Sequence, residues 1–104
     1  MFKLSFFVPE SHLEEVKQAL FLIGLGKIGN YDSCCWQTLG QGQFRALEGS
    51  APFVGQLGKV ETIAEYKVEM VCDETLIDKA VSTLKEVHPY EEPAYDVIRL
   101  ESLS

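Results

Sequence analysis

A strand-like alternation followed at once by a capped helical stripe occurs twice in this chain, and few small folds accommodate that pattern. Leu4, Phe6 and Val8 are apolar at every second position, as in a strand with one buried face. Pro9 closes the run, and Ser11-His12-Leu13-Glu14 reads as a capping box in which Ser11 and Glu14 satisfy each other's free backbone donors. Leu13, Val16, Leu20 and Ile23 then recur at three- and four-residue intervals, which predicts a helix over about 12–24, with Gly24 and Gly26 as left-handed exits. In the second half Tyr66, Val68, Met70 and Cys72 alternate with Glu65, Lys67 and Glu69, so one face of that strand is buried and the other wet. Thr75 is placed to cap a second helix, whose stripe is Leu76, Ile77, Ala80, Val81, Leu84 and Val87. Pro89 and Pro93 end it.

The stretch between the two units is also extended. Tyr31 to Leu39 is rich in aromatic residues, cysteine and threonine and suits a strand; Gly40 and Gly42 suggest a bulge or bend before Phe44 to Leu47 continue. A last strand runs from Ala94 to about Glu101, apolar on both parities, with Tyr95 and Val97 on one face and Ala94, Ile98 and Leu100 on the other. The order strand, helix, strand, strand, helix, strand predicts an α+β, ferredoxin-like βαββαβ sandwich: an antiparallel sheet with two helices on one face. The opposite face then meets solvent or another subunit, and the two-faced last strand favours the subunit. A chain of 104 residues buries roughly 60–70% of its unfolded surface, enough for one core, so residues 1–104 are read as a single domain.

Charge narrows the partners. Nine Lys and Arg face sixteen Asp and Glu, for a net charge of -7, and nucleic-acid affinity rests on cations neutralising phosphates. Nucleic acid is therefore a poor partner. No run reaches the roughly 18 apolar residues of a membrane span, and Met1 leads into a strand-like segment with no tripartite signal, so a cytoplasmic location without membrane contact is expected. Cys34, Cys35 and Cys72 have neither CxxC nor zinc spacing and read as reduced cysteines. The adjacent pair on a strand would point to opposite faces, leaving one for a subunit interface.

Two segments go beyond architecture. HPYEEPAYDV, from His88 to Val97, and GQGQFRALEGSAPFVGQLGKVE, from Gly40 to Glu61, together resemble the small inserted domain of the dinuclear-metal-centre hexamer family, whose members are often labelled GTP cyclohydrolase type 2 homologues. Nearly the whole chain is covered. His88-Pro89-Tyr90-Glu91 is also similar to the HPYE segment of the CutA divalent-cation-tolerance proteins, which share a PII-like ferredoxin fold. The resemblance implies a PII/CutA-like trimer built through sheets and loops. It does not carry over the dinuclear site, whose histidines and carboxylates lie on flanking domains, whereas this chain has only His12 and His88. The cyclohydrolase label goes with those domains.

The HPYE segment supports two readings. His88 supplies an imidazole and Glu91, Glu92 and Asp96 supply oxygens, which together could hold a divalent transition metal at a surface or intersubunit site. Alternatively His88 sits in the last helical turn, where positive charge is favourable, while the prolines fix the exit path and Tyr90 packs. The glycine-rich stretch from Gly40 to Gly58 divides the same way. With Arg45 and Lys59 it could receive a small anionic ligand, or its glycines permit turns while Phe44, Pro52 and Phe53 anchor the loop on a neighbour. No nucleophile, base and orienting group are suggested in combination, and an enzyme is not expected. The chain is thus read as a non-enzymatic trimeric module for a small ligand or divalent metal ion, with a purely structural interaction module as the alternative.

Overall fold

The computed structural model describes residues 1–102. Its spine is β1 (Phe2–Pro9), which pairs antiparallel with β3 (Val60–Cys72) on one side and β4 (Tyr95–Arg99) on the other. β2 (Trp36–Arg45) adds to the far side of β3, giving the order β2-β3-β1-β4. With α1 (Leu13–Leu22) and α2 (Ile77–Val87) between strands, this is the ferredoxin-like α+β arrangement.

Register explains the core. Phe2, Leu4, Phe6 and Val8 stand opposite Cys72, Met70, Val68 and Tyr66, so one parity of both strands faces the helices. Leu13, Val16 and Leu20 of α1 and Ala80 and Leu84 of α2 close over them, and the largest of these side chains are fully buried. Burial of a Leu or Phe side chain stabilises by about 1.5–3 kcal/mol, so this stripe-on-sheet contact is what holds the domain together.

Both helix starts differ from the capping pattern read in the sequence. Glu10–His12 form a 3-10 turn ahead of α1, and Ser11 Oγ lies 2.9 Å from the ring of its neighbour His12 instead of capping the helix. Before α2 the capping side chain is Asp73: its Oδ1 accepts from Thr75 N–H at 2.9 Å and from the Thr75 hydroxyl at 2.8 Å. Those bonds favour the charged form and hold the Asp73 carboxyl below its usual range. The exit of α1 is as expected, with Gly24 and Gly26 at φ +112° and +74°.

β2 is the larger correction. It begins at Trp36, five positions after Tyr31, and it crosses Gly40 and Gly42 without a bulge, because Trp36↔Glu69 to Arg45↔Val60 pair in unbroken register. Ser33 at φ +55° turns the chain just before, so Cys34 and Cys35 precede the strand and do not alternate across it. The β2–β3 hairpin runs past the helices and lengthens the molecule to 50 × 24 × 24 Å. Trp36, Leu39 and Val60 on it are more than half exposed, as are Leu47, Leu57 and Ile98.

Candidate functional site

The segment after α2 is fixed by the histidine that ends the helix. His88 N–H donates to the Leu84 carbonyl, and its extended ψ of 138° turns the chain back toward the open face of the sheet. The ring itself is buried. Nε2 lies 2.7 Å from the Phe7 carbonyl of β1, and Nδ1 accepts from the backbone N–H of Tyr90 at 3.1 Å. A carbonyl only accepts and an N–H only donates, so these partners together select the neutral tautomer with hydrogen on Nε2. Burial agrees, pushing the His88 pKa below its ordinary value despite the opposing Phe7 carbonyl and Glu65. His88 is therefore a neutral link between α2, β1 and the following loop, not the cation at a helix end that the sequence allowed.

Tyr90 continues the chain of contacts. Its ring packs tilted on His88, centroids 4.8 Å apart, and its hydroxyl donates to Glu65 Oε2 at 2.8 Å. Burial and that carboxylate push the phenol well above its usual range, so it stays a hydrogen-bond donor. Glu65 reaches it by lying across β2 where Gly42 has no side chain: a Cβ there would stand 1.9 Å from Glu65 Oε1. A side chain at 42 would displace the Glu65 carboxylate from Tyr90, so the glycine answers to close approach and not to a bulge. Phe53, from the β2–β3 loop, packs against Tyr90 and edge-on against His12. Glu91 Oε2 accepts from Ala51 N–H at 2.9 Å, tying the same loop down at a second point.

Together these contacts border an open cleft of about 860 Å3 between the open face of the sheet, the loop after β2 and the segment after α2. Phe7, Phe44, Phe53 and Tyr90 give it aromatic walls, and the backbone at Gly40 and Gly42 forms part of the lining. Its size is that of a small-molecule site. Its charged lining is Arg45 and Lys67 against Glu65, Glu69, Glu91 and Glu92, so acids outnumber bases. Glu69 is itself satisfied by Lys3 at 2.8 Å, with Lys67 at 3.9 Å, which holds its carboxyl below the usual range.

The structure brings some of the candidate residues together and separates others. Glu91, Glu92 and Arg45 line the cavity, Lys59 is exposed and does not line it, and Asp96 is on β4 opposite Ser5. Among the described residues no three His, Cys, Asp or Glu side chains gather as ligands for one metal ion. Phe53, expected to anchor its loop on a neighbour, packs instead on Tyr90 and His12 of its own chain, and Glu65 does not stand out in the sequence. In sequence Glu65 is one of the wet positions of an alternating strand, and nothing short of the β2 register shows that a glycine stands beside it.

No family model matches the chain. It is 42% identical over 100 residues to a GTP cyclohydrolase 1 type 2 homolog of Halalkalibacterium halodurans, covering 96% of this chain and 27% of that protein. The homolog of Mycobacterium tuberculosis is 40% identical over 94 residues, 90% of this chain and 25% of the relative. The chain thus spans about a quarter of the length of the curated relatives it matches. Among solved structures, a Bacillus cereus protein related to NIF3 superposes with a TM-score of 0.83 at 38% identity, over 97% of this chain and 26% of that one. CutA1 from Pyrococcus horikoshii superposes with a TM-score of 0.73 at 19% identity, over 100% and 87% of the two chains, and shares the fold. The resemblance read from His88–Val97 and Gly40–Glu61 therefore extends over nearly the entire chain.

Proposed function

Because this chain is the counterpart of the small domain carried by GTP cyclohydrolase 1 type 2 homologs, we propose that it is a non-enzymatic, self-assembling module that works as a trimer in the cytoplasm. The observation that carries the reading is the projecting β2–β3 hairpin. An isolated two-stranded hairpin is marginal in water, yet this one extends beyond its own helices with Trp36, Leu39 and Val60 exposed. Its outer edge, from Trp36 to Phe44, contains no charged residue and no proline. Native proteins blunt free edges with such residues, and an unblunted edge pairs with another chain. The other free edge, β4, presents Val97 and Ile98. A ring in which each hairpin meets the neighbour's β4 covers both.

The residues that could do chemistry support a structural use. His88, Tyr90 and Glu65 spend their polar atoms on one another and on backbone groups, and the first two are held in neutral forms. A small ligand in the cavity is the second reading, favoured by its volume and aromatic walls. The acid-rich lining suits a neutral or cationic molecule better than the anion suggested by Arg45 and Lys59. A divalent metal on His88 with Glu91, Glu92 or Asp96 would require His88 to surrender one of its two bonds, and further ligands from neighbouring copies.

Sedimentation equilibrium of the native chain and of Leu39→Glu tests the proposal. The native 11.7 kDa chain is expected at three times its mass and the variant at its monomer mass with unchanged circular dichroism. A native chain that remains monomeric at micromolar concentration would overturn it.

A further inference from the structure

The chain between β2 and β3 closes on itself. Gly58 N–H donates to the carbonyl of buried Ala46 at 2.7 Å, and Ala46 and Leu57 form a parallel bridge, so residues 47–57 leave and re-enter the hairpin at nearly one point. Compact surface loops whose ends meet in this way are frequently functional. Near its two ends stand Gly49 and Gly58, at φ +94° and +75°, and a Cβ at either would meet nothing within 4 Å, so no neighbour hinders rotation there. The loop also keeps its own shape, because Ser50 donates to the Leu47 carbonyl from its N–H at 3.1 Å and from its hydroxyl at 2.6 Å. Its hold on the rest of the fold is thin. Among the described residues, the one hydrogen bond that ties it beyond its own base runs from Ala51 N–H to Glu91 Oε2 at 2.9 Å, and both partners are exposed. The only ring contacts are those of Phe53 with His12 and Tyr90, centroids 5.6 and 6.1 Å away, and Phe53 is itself half exposed.

We propose that residues 47–57 are a hinged lid on the aromatic cleft, with Ala46, Leu57 and Gly58 as its hinge and Glu91 and Phe53 as its latch. Opening breaks one solvent-exposed hydrogen bond and one ring cluster, while the bonds inside the loop and at the hinge persist. Segments with few buried apolar contacts and exposed hydrogen bonds open at a small fraction of the global unfolding free energy. Ser50, Pro52, Phe53 and Val54 of the loop line the cleft, so the swing removes one wall and leaves Phe7, Phe44 and Tyr90 facing an entrance. That the opening admits a small molecule rests on the ligand reading of the cleft given above. The latch lies within one chain and operates whether or not copies assemble.

Relaxation-dispersion NMR of the full chain, with no ligand added, tests the lid separately from what the cleft binds. Amides of residues 47–57 and of Tyr90 are expected to share one microsecond-to-millisecond exchange process that the amides of β1 and α2 lack. Glu91→Ala should raise the open population about tenfold, the equivalent of one charge-assisted hydrogen bond. Glu91→Gln keeps an accepting oxygen and should stay near the native population. Exchange that Glu91→Ala leaves unchanged, or that Glu91→Gln alters as much, would overturn the latch. Should the motion fall outside that time window, the nuclear Overhauser contact between the Phe53 and Tyr90 rings decides. It should weaken in Glu91→Ala and persist in Glu91→Gln, and equal intensity in the two variants contradicts the proposal.

Discussion

His88 and Tyr90 show how much of this site rests on two rings. Tyr90→Phe removes the donor that satisfies Glu65 and leaves a half-buried carboxylate without its partner; a loss of about 1–3 kcal/mol is expected in urea denaturation. Glu65→Gln should cost less, because an amide oxygen still accepts from the phenol. For His88 the expectation is a pH dependence. Its folded pKa lies below the ordinary 6.5, so across the interval beneath that value the unfolded chain binds a proton that the folded chain refuses. Stability therefore rises with pH there, is fully present above about 6.5, and falls as the pH drops toward the folded pKa. Urea midpoints of the native chain and of His88→Gln between pH 5 and 8 check this: the native midpoint should fall more steeply on acidification, and parallel curves would rule His88 out as the cause.

At the scale of elements, β2 was the hardest to read. Gly40 and Gly42 look alike in sequence, but only the second stands under a neighbour's side chain: nothing lies within 4 Å of a Cβ at 40, whereas one at 42 meets Glu65. Gly40→Ala should therefore leave stability within about 0.5 kcal/mol, while Gly42→Ala should cost about 1–3 kcal/mol by displacing Glu65 from Tyr90. Comparable urea midpoints for the two variants would contradict the packing described. The strands and helices of the core were legible because Leu4, Phe6 and Val8, and Val68, Met70 and Cys72, alternate cleanly with a face each. The caps were not, because Ser11 and Thr75 fall inside 3-10 turns at Glu10–His12 and Glu74–Leu76, two positions after the residues that begin those turns, Pro9 and Asp73. The cavity was half legible. Glu91, Glu92 and Arg45 were candidates, but Phe53, Glu65 and Gly42 come to line the same cavity only through register and loop closure.

For the whole molecule, the proposed assembly rests on what the fold leaves uncovered. The chain carries a net charge of -7, so copies repel at long range and association must come from apolar contact and strand pairing at short range. High salt, by screening that repulsion, should strengthen the assembly, the reverse of an interface held by ion pairs. Native mass spectrometry of the unmodified chain tests the central claim most directly. The account predicts one dominant species of three chains whose share rises with salt before transfer to volatile buffer. A monomer across the accessible concentration range would contradict it, leaving the exposed hairpin and the uncharged β2 edge unexplained by self-assembly.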